Sequence, residues 1–328
     1  MTFLYILIAL VLIFDFINGF HDSANSIATV VSTKVLSPLA AVGMAAFFNF
    51  VAFLVFPLKV ATTMGNVVNP DVINLTLIAA ALIAAISWNL FTWWYGLPSS
   101  SSHTLVGGLV GAAVASTGWG SVMMAAVIKI VVFIVIAPVL GMIISFLISA
   151  LVIALARKHS PSGIDKHFRR LQLLSAASFS LGHGGNDAQK SMGIIWVALI
   201  ASGLATVKDP IALWIVLSCH GAIALGTLLG GWRIVKTMGQ KITKLKPFEG
   251  FCAETAGALT LFGATAFGIP VSTTHTITGA IIGVGARKGA TAVKWGVTRK
   301  IFWAWILTIP VSAIISYTMF SLLNWIIN

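Results

Sequence analysis

Apolar runs of roughly 18 residues or more, each long enough to cross a bilayer as a helix, recur along the whole chain. In hydrocarbon, every backbone N–H and C=O must find its partner inside the protein, so such runs commit the chain to helices. Hydrophobic residues make up 58% of the sequence and charged residues only 9%. A soluble domain carries roughly 25% charged residues, so a soluble domain is excluded. The expected fold is an all-α polytopic membrane protein. Breaks and charges together predict ten crossings, at about 2–31, 38–56, 72–97, 99–117, 120–156, 171–202, 210–232, 250–268, 270–286 and 294–325. Asp15 interrupts the first run and no basic stretch precedes it, so no cleavable signal peptide is expected.

The net charge of +12 raises the question of a nucleic-acid partner, and its placement excludes one. The bases cluster between apolar segments: Arg157, Lys158, Lys166, Arg169 and Arg170; Arg233, Lys236, Lys241, Lys244 and Lys246; Arg287, Lys288, Lys294, Arg299 and Lys300. Short basic loops mark the cytoplasmic side of a bacterial-type cytoplasmic membrane. The loops near 57–71 and 203–209 hold one Lys each and belong outside. With five crossings per half, the second half enters from the opposite side, as in the inverted repeats of secondary transporters. The expected organisation is a first repeat over 1–156, a basic cytoplasmic linker over 157–170 containing Ser160-Pro161-Ser162-Gly163, and a second repeat over 171–328.

The repeat extends to motifs. NGFHDSANS (18–26) in the first crossing has its counterpart in LGHGGNDAQKS (181–191). Aligning Asp22 with Asp187 pairs Asn25 with Lys190 and Ser26 with Ser191. GLPSSSSHT (96–104) is matched by GIPVSTTHT (268–276), and the motifs keep their order, 81 residues apart from Asp22 to His103 and 88 from Asp187 to His275.

Each motif has a physical reading. Asn18-Gly19 and Gly182-His183-Gly184-Gly185 predict unwound backbone, with new half-helices starting near Ser23 and Ala188. Asp22, Asn25 and Ser26 lie at i, i+3 and i+4 on one helix face, as do Asp187, Lys190 and Ser191. Such oxygen ligands suit a cation or a proton, and a buried charge costing roughly 2.5–3.5 kcal/mol at mid-bilayer needs a reason. Pro98 and Pro270 suit the first turn of a new helix, which puts the hydroxyls of 99–102 and 272–274 at N-termini whose free N–H groups and dipoles attract an anion. Four half-helix N-termini are thus expected to point inward around two carboxylates. That arrangement fits an oxyanion that still carries protons, since its O–H groups donate to Asp22 and Asp187. Phosphate has them, and sulfate at neutral pH has none.

At these residues the chain resembles the inorganic phosphate transporter (Pit) family. GFHDSANSIATVVSTKVLSP, WNLFTWWYGLPSSSSHTLVGG, GHGGNDAQKSMGI and GIPVSTTHTITGA are similar to four family signature stretches. The resemblance covers nearly the whole chain. It implies phosphate import by alternating access, coupling to protons or sodium, a homodimer, and a substrate-binding role for Asp22, Asn25, Ser101, Ser102, Asp187, Lys190, Thr273 and Thr274. Sodium-coupled members typically have Asn at the position of Lys190; GGNDAQKS looks like the proton-coupled bacterial members, which implies that phosphate complexed to a divalent metal is a possible substrate form.

The Lys190 ammonium, on the face of Asp187, would take the space and charge of a bound monovalent cation. Proton symport is therefore the leading expectation and sodium symport the alternative. Coupling-ion candidates are Asp22, Asn25, Asp187, Lys190 and Glu254; Glu254 either relays protons or sits at the membrane interface. Ser26, Ser191, His103 and His275 are expected just behind the substrate residues. Asp15, Asn49, Lys129 and His220 read as structural or interfacial, and Cys219 and Cys252 as packing residues, so neither a disulfide framework nor a fixed metal is expected. No cofactor is expected. A passive anion channel would need a continuous lining instead of paired broken helices. An enzyme is disfavoured because Ser102-His103, neighbours at a helix start, cannot form a nucleophile–base pair. No phosphate-cradling nucleotide loop is present to drive a primary pump. Arsenate, with phosphate's geometry and protons, should be accepted as a mimic.

Overall fold

A computed structural model of the chain describes residues 1–156 and 160–327. Arg157 and Lys158 of the basic linker lie outside the described residues. The described residues form twelve α-helices and no strand: α1 (Thr2–Ser32), α2 (Pro38–Val51), α3 (Lys59–Gly65), α4 (Leu75–Trp94), α5 (Ser101–Thr117), α6 (Met124–Ala156), α7 (Pro161–Ala201), α8 (Leu213–Leu229), α9 (Trp232–Lys236), α10 (Pro247–Ala266), α11 (Thr273–Lys288) and α12 (Trp295–Ile327).

A helix occupies each of the ten expected crossings, but four of them alone, α1, α4, α6 and α12, are long and apolar enough to cross a membrane. The count reaches six if α2 with α3, bent by 87°, and α8 with the turns from Trp232 to Lys241, bent by 62°, each form one span. The remaining helices are too short or too polar because they line the interior instead of facing lipid. At ~1.5 Å per residue, neither the 17-residue α5 nor the 16-residue α11 spans ~30 Å of hydrocarbon. Two segments expected as loops are helical. Residues 59–65 form α3, and α7 begins at Pro161, capped by the Ser160 hydroxyl accepting from Gly163 N–H. Proline at N1 behind a serine cap is a strong helix start, so most of the linker joins α7.

The unwinding expected at Asn18-Gly19 and at 182–185 does not occur; α1 and α7 run through both segments. These glycines admit neighbours. A Cβ at Gly19 would strike the Ile223 carbonyl of α8, and one at Gly226 the Phe16 carbonyl of α1, so the two helices touch backbone to backbone. Gly184 meets the Asn49 backbone and Gly185 the Phe56 ring. Burial among close neighbours outweighs the ~1 kcal/mol cost of a helical glycine.

True breaks lie elsewhere. Gly96 (φ +64°) ends α4 and Gly268 (φ +66°) ends α10. Leu97 N–H reaches Thr92 O at 2.9 Å and Ile269 N–H reaches Ala264 O at 2.8 Å. Both are left-handed glycine stops with the 6→1 bond of a Schellman cap. The interior then opens onto α5 and α11. Gly107 and Gly111 of α5 abut Ile309, Ser312 and Ala313 of α12, whereas Gly279 and Gly283 of α11 abut Pro138, Met142 and Ser145 of α6. Each short helix is thus clamped, through a small-xxx-small face, to the last long helix of the opposite half.

Candidate functional site

The site is assembled where α5 and α11 begin, against the middles of α1 and α7. Ser100 accepts from His103 N–H at 3.4 Å and Ser272 from His275 N–H at 3.1 Å, so a serine caps each short helix. Pro98 and Pro270 stand ahead of these caps, not in the first helical turns, because the caps take the positions before Ser101 and Thr273. With the caps supplied, Ser101, Ser102, Thr273 and Thr274 are free to turn their hydroxyls inward. Two inward N-termini exist, not four, because α1 and α7 are unbroken.

The paired residues of α1 and α7 reach across to these starts. The Asn25 amide donates to Thr274 Oγ1 at 2.9 Å and Thr273 Oγ1 at 3.2 Å. Lys190 Nζ donates to Asp187 Oδ1 at 2.5 Å, to Val271 O at 2.9 Å and to Ser102 Oγ. Asp22 accepts from Ser101 at 3.0 Å and Thr274 at 3.4 Å, and Asp187 from Thr273 at 3.2 Å. All eight expected substrate residues are buried within this one cluster.

Five further residues brace the site, two of them directly against its carboxylates, and the motif reading gave them no such role. His21 Nδ1 lies 2.7 Å from Asp22 Oδ1 while its Nε2 meets Thr92 Oγ1 at 3.1 Å. Ser101 donates to Asn18 Oδ1 at 2.6 Å. His183 Nε2 stands 3.3 Å from Asp187 Oδ2, one turn before it on α7. Asn186 accepts from Val271 N–H at 3.2 Å and donates to Thr265 and Ile269, fixing the break before α11. The available signals were adjacency for His21 and Asn186 and the i−4 spacing for Asn18 and His183. Thr92, 70 residues from Asp22, carried none.

Other expected residues divide. Ser191 donates to Asp15 Oδ1 at 2.5 Å, making that acid a buried link between α7 and α1. Ser26 is buried beside the site. His103 and His275 meet ring to ring at 4.6 Å behind the hydroxyls. Asn49 donates to Thr227 at 3.0 Å and its Oδ1 faces His183 Nδ1 at 3.1 Å; His220 braces Asn49 O; Lys129 is exposed. Glu254 is fully enclosed, accepting from Thr29 at 2.5 Å, Gln172 at 3.0 Å and Ser175 at 2.5 Å.

Asp22, Asp187 and His183 each offer one ligand atom, all within 4.8 Å of one another. Beside them lie the Lys190 ammonium, four hydroxyls and two helix N-termini, each worth roughly half a positive charge. Such a place can hold an oxyanion through its donors and a cation or proton through its carboxylates.

The phosphate transporter family model matches residues 18–164 and 153–316. The chain is 55% identical over 311 residues to a probable low-affinity inorganic phosphate transporter of Rhizobium meliloti (strain 1021), covering 94% of this chain and 93% of that one. A protein of the same description from Bacillus subtilis (strain 168) is 42% identical over 328 residues, covering 99% and 98%. Among solved structures, one described as "The sodium-dependent phosphate transporter" superposes with a TM-score of 0.88 at 26% identity, covering 99% of this chain and all of that one.

Proposed function

Since the chain belongs to the phosphate transporter family and is an integral membrane transporter, not an enzyme, we propose that it imports inorganic phosphate by proton symport with alternating access. Phosphate oxygens accept from Ser101, Ser102, Thr273, Thr274, Asn25 and Lys190, and its remaining protons are donated to Asp22 and Asp187. A fully deprotonated anion would leave both carboxylates facing acceptors, which costs each of them a lost partner.

The observation that carries the coupling proposal is Lys190 Nζ, buried and bonded to Asp187 Oδ1, Val271 O and Ser102 Oγ. A tethered ammonium there does for Asp187 what a sodium ion would do, and it leaves Asp22 with His21 as the half that exchanges a proton. Glu254, joined to α1 by Thr29 and to α7 by Gln172 and Ser175, is a second candidate along the same two helices. The competing reading is sodium symport. It is favoured by the three ligand atoms within 4.8 Å and by the likeness to a structure described as sodium-dependent.

In the same proposal the two halves are inverted repeats, the basic loops face the cytoplasm across the cytoplasmic membrane, and the chain works as a homodimer. The substrate includes phosphate complexed to a divalent metal. Uptake of labelled phosphate into proteoliposomes, with a pH gradient or a sodium gradient imposed separately, tests the coupling. The pH gradient should drive uptake without sodium; uptake driven only by sodium overturns proton symport.

A further inference from the structure

A groove of about 620 Å³ runs between α6, α11 and α12, away from the transport site. Its walls are apolar: Val135 and Val139 of α6, Ile282 of α11, and Phe302, Trp305 and Ile306 of α12. At one end it shares Trp295 and Phe302 with a second pocket of about 410 Å³, which adds Thr298 and Arg299. Both volumes lie in the ~300–1,000 Å³ range of ligand sites. We propose that this continuous surface binds an anionic phospholipid, with one acyl chain in the groove and the headgroup at Arg299.

Four observations select that occupant. First, the apolar windows of α6 and α12 are only 28% and 22% buried, so this flank of an integral membrane protein faces the bilayer. Second, the groove changes character at one end only, from apolar walls to an exposed guanidinium, which matches a lipid's two parts. Third, that end carries Lys294, Arg299 and Lys300, all exposed and none in an ion pair with an acid among the described residues. Bases unopposed by acids prefer an anionic headgroup to a zwitterionic one. Fourth, Trp295 is held at the mouth by donating from Nε1 to Ala290 O at 2.8 Å, the position of an interfacial anchor.

The groove also touches the transport machinery. Trp305 forms part of its wall, stacks on His275 at 3.7 Å and donates from Nε1 to Pro98 O at 3.1 Å. A bound acyl chain therefore backs a side chain that touches both the break before α5, at Pro98, and the first turn of α11, at His275.

The full-length protein, stripped of lipid in detergent, is titrated with phosphatidylglycerol or phosphatidylcholine and bound lipid is counted by native mass spectrometry. Phosphatidylglycerol should bind in preference. Arg299→Gln should weaken it by about fivefold and leave phosphatidylcholine unchanged, as for one basic residue at a membrane surface. Ile306→Trp, a change at a 61% exposed position, should weaken both lipids by filling the groove. Melting temperature checks that both variants fold; if Ile306→Trp does not, Arg299→Gln alone decides. Equal binding of the two lipids, or indifference to Arg299→Gln, overturns the proposal. So does displacement of phosphatidylglycerol by free phosphate, which makes the pocket a plain anion site. Cross-linking of Ile306→Cys to a second copy also overturns it, since protein would then close the groove.

Discussion

Lys190 concentrates the most chemistry in one side chain. Its ammonium is bonded on three sides, so Lys190→Asn both empties a position and frees Asp187. Breaking a buried ion pair costs ~3–5 kcal/mol unless something replaces the lost charge. The expected outcome is loss of sodium-independent uptake, with partial recovery when sodium is supplied, read as phosphate flux with and without sodium. Unchanged flux and ion dependence would remove Lys190 from the coupling mechanism. At Asp22, the substitution Asp22→Asn exchanges an acceptor-only group for one that also donates. Sulfate should then compete better against phosphate, with selectivity falling on the order of tenfold, because the site no longer demands a proton from its substrate. The pair Asp22 and Asp187 was legible from the aligned motifs. The histidines beside them were not, because a histidine next to an acid in sequence has no fixed direction until the helix sets it. Only the three-dimensional helix shows His21 turned between Asp22 and Thr92.

The elements themselves were mostly legible, since long apolar runs and Gly-x-Pro breaks survive any choice of tertiary partner. What failed was the reading of glycine within a run. The same missing Cβ either releases the backbone or admits a neighbour, and the sequence around Gly19 is identical in the two cases. The distinction is open to measurement. Gly111→Ala pushes a Cβ into the Ala313 carbonyl, while Gly43→Ala on α2 meets nothing within 4 Å. The first should lower stability by ~1–3 kcal/mol. The second should be neutral or raise stability by up to ~1 kcal/mol. Thermal unfolding in detergent, followed by circular dichroism, separates them. The serine caps offer a matched pair: Ser100→Ala and Ser272→Ala should each cost ~1 kcal/mol and affect uptake to similar extents, since they start the two helices that meet at one site. A large difference between them would mean that the halves do not contribute alike.

At the scale of the whole molecule, the proposed site makes substrate choice depend on the protons that its carboxylates can accept. Arsenate should inhibit phosphate uptake competitively, and sulfate at neutral pH should not. A sulfate inhibition as strong as arsenate's would discard the argument from the carboxylates. The interlocked glycine faces have a further consequence during synthesis. A partner of α5 is α12, which is synthesised nearly two hundred residues after it. Until then the nascent chain must hold a short, glycine-faced helix in the membrane without its clamp. Chains stalled or truncated before residue 295 should therefore be recognised as incomplete and degraded, whereas supplying α12 in trans should rescue them. The joint laid down at α5 is thus closed only when α12 arrives, nearly two hundred residues later.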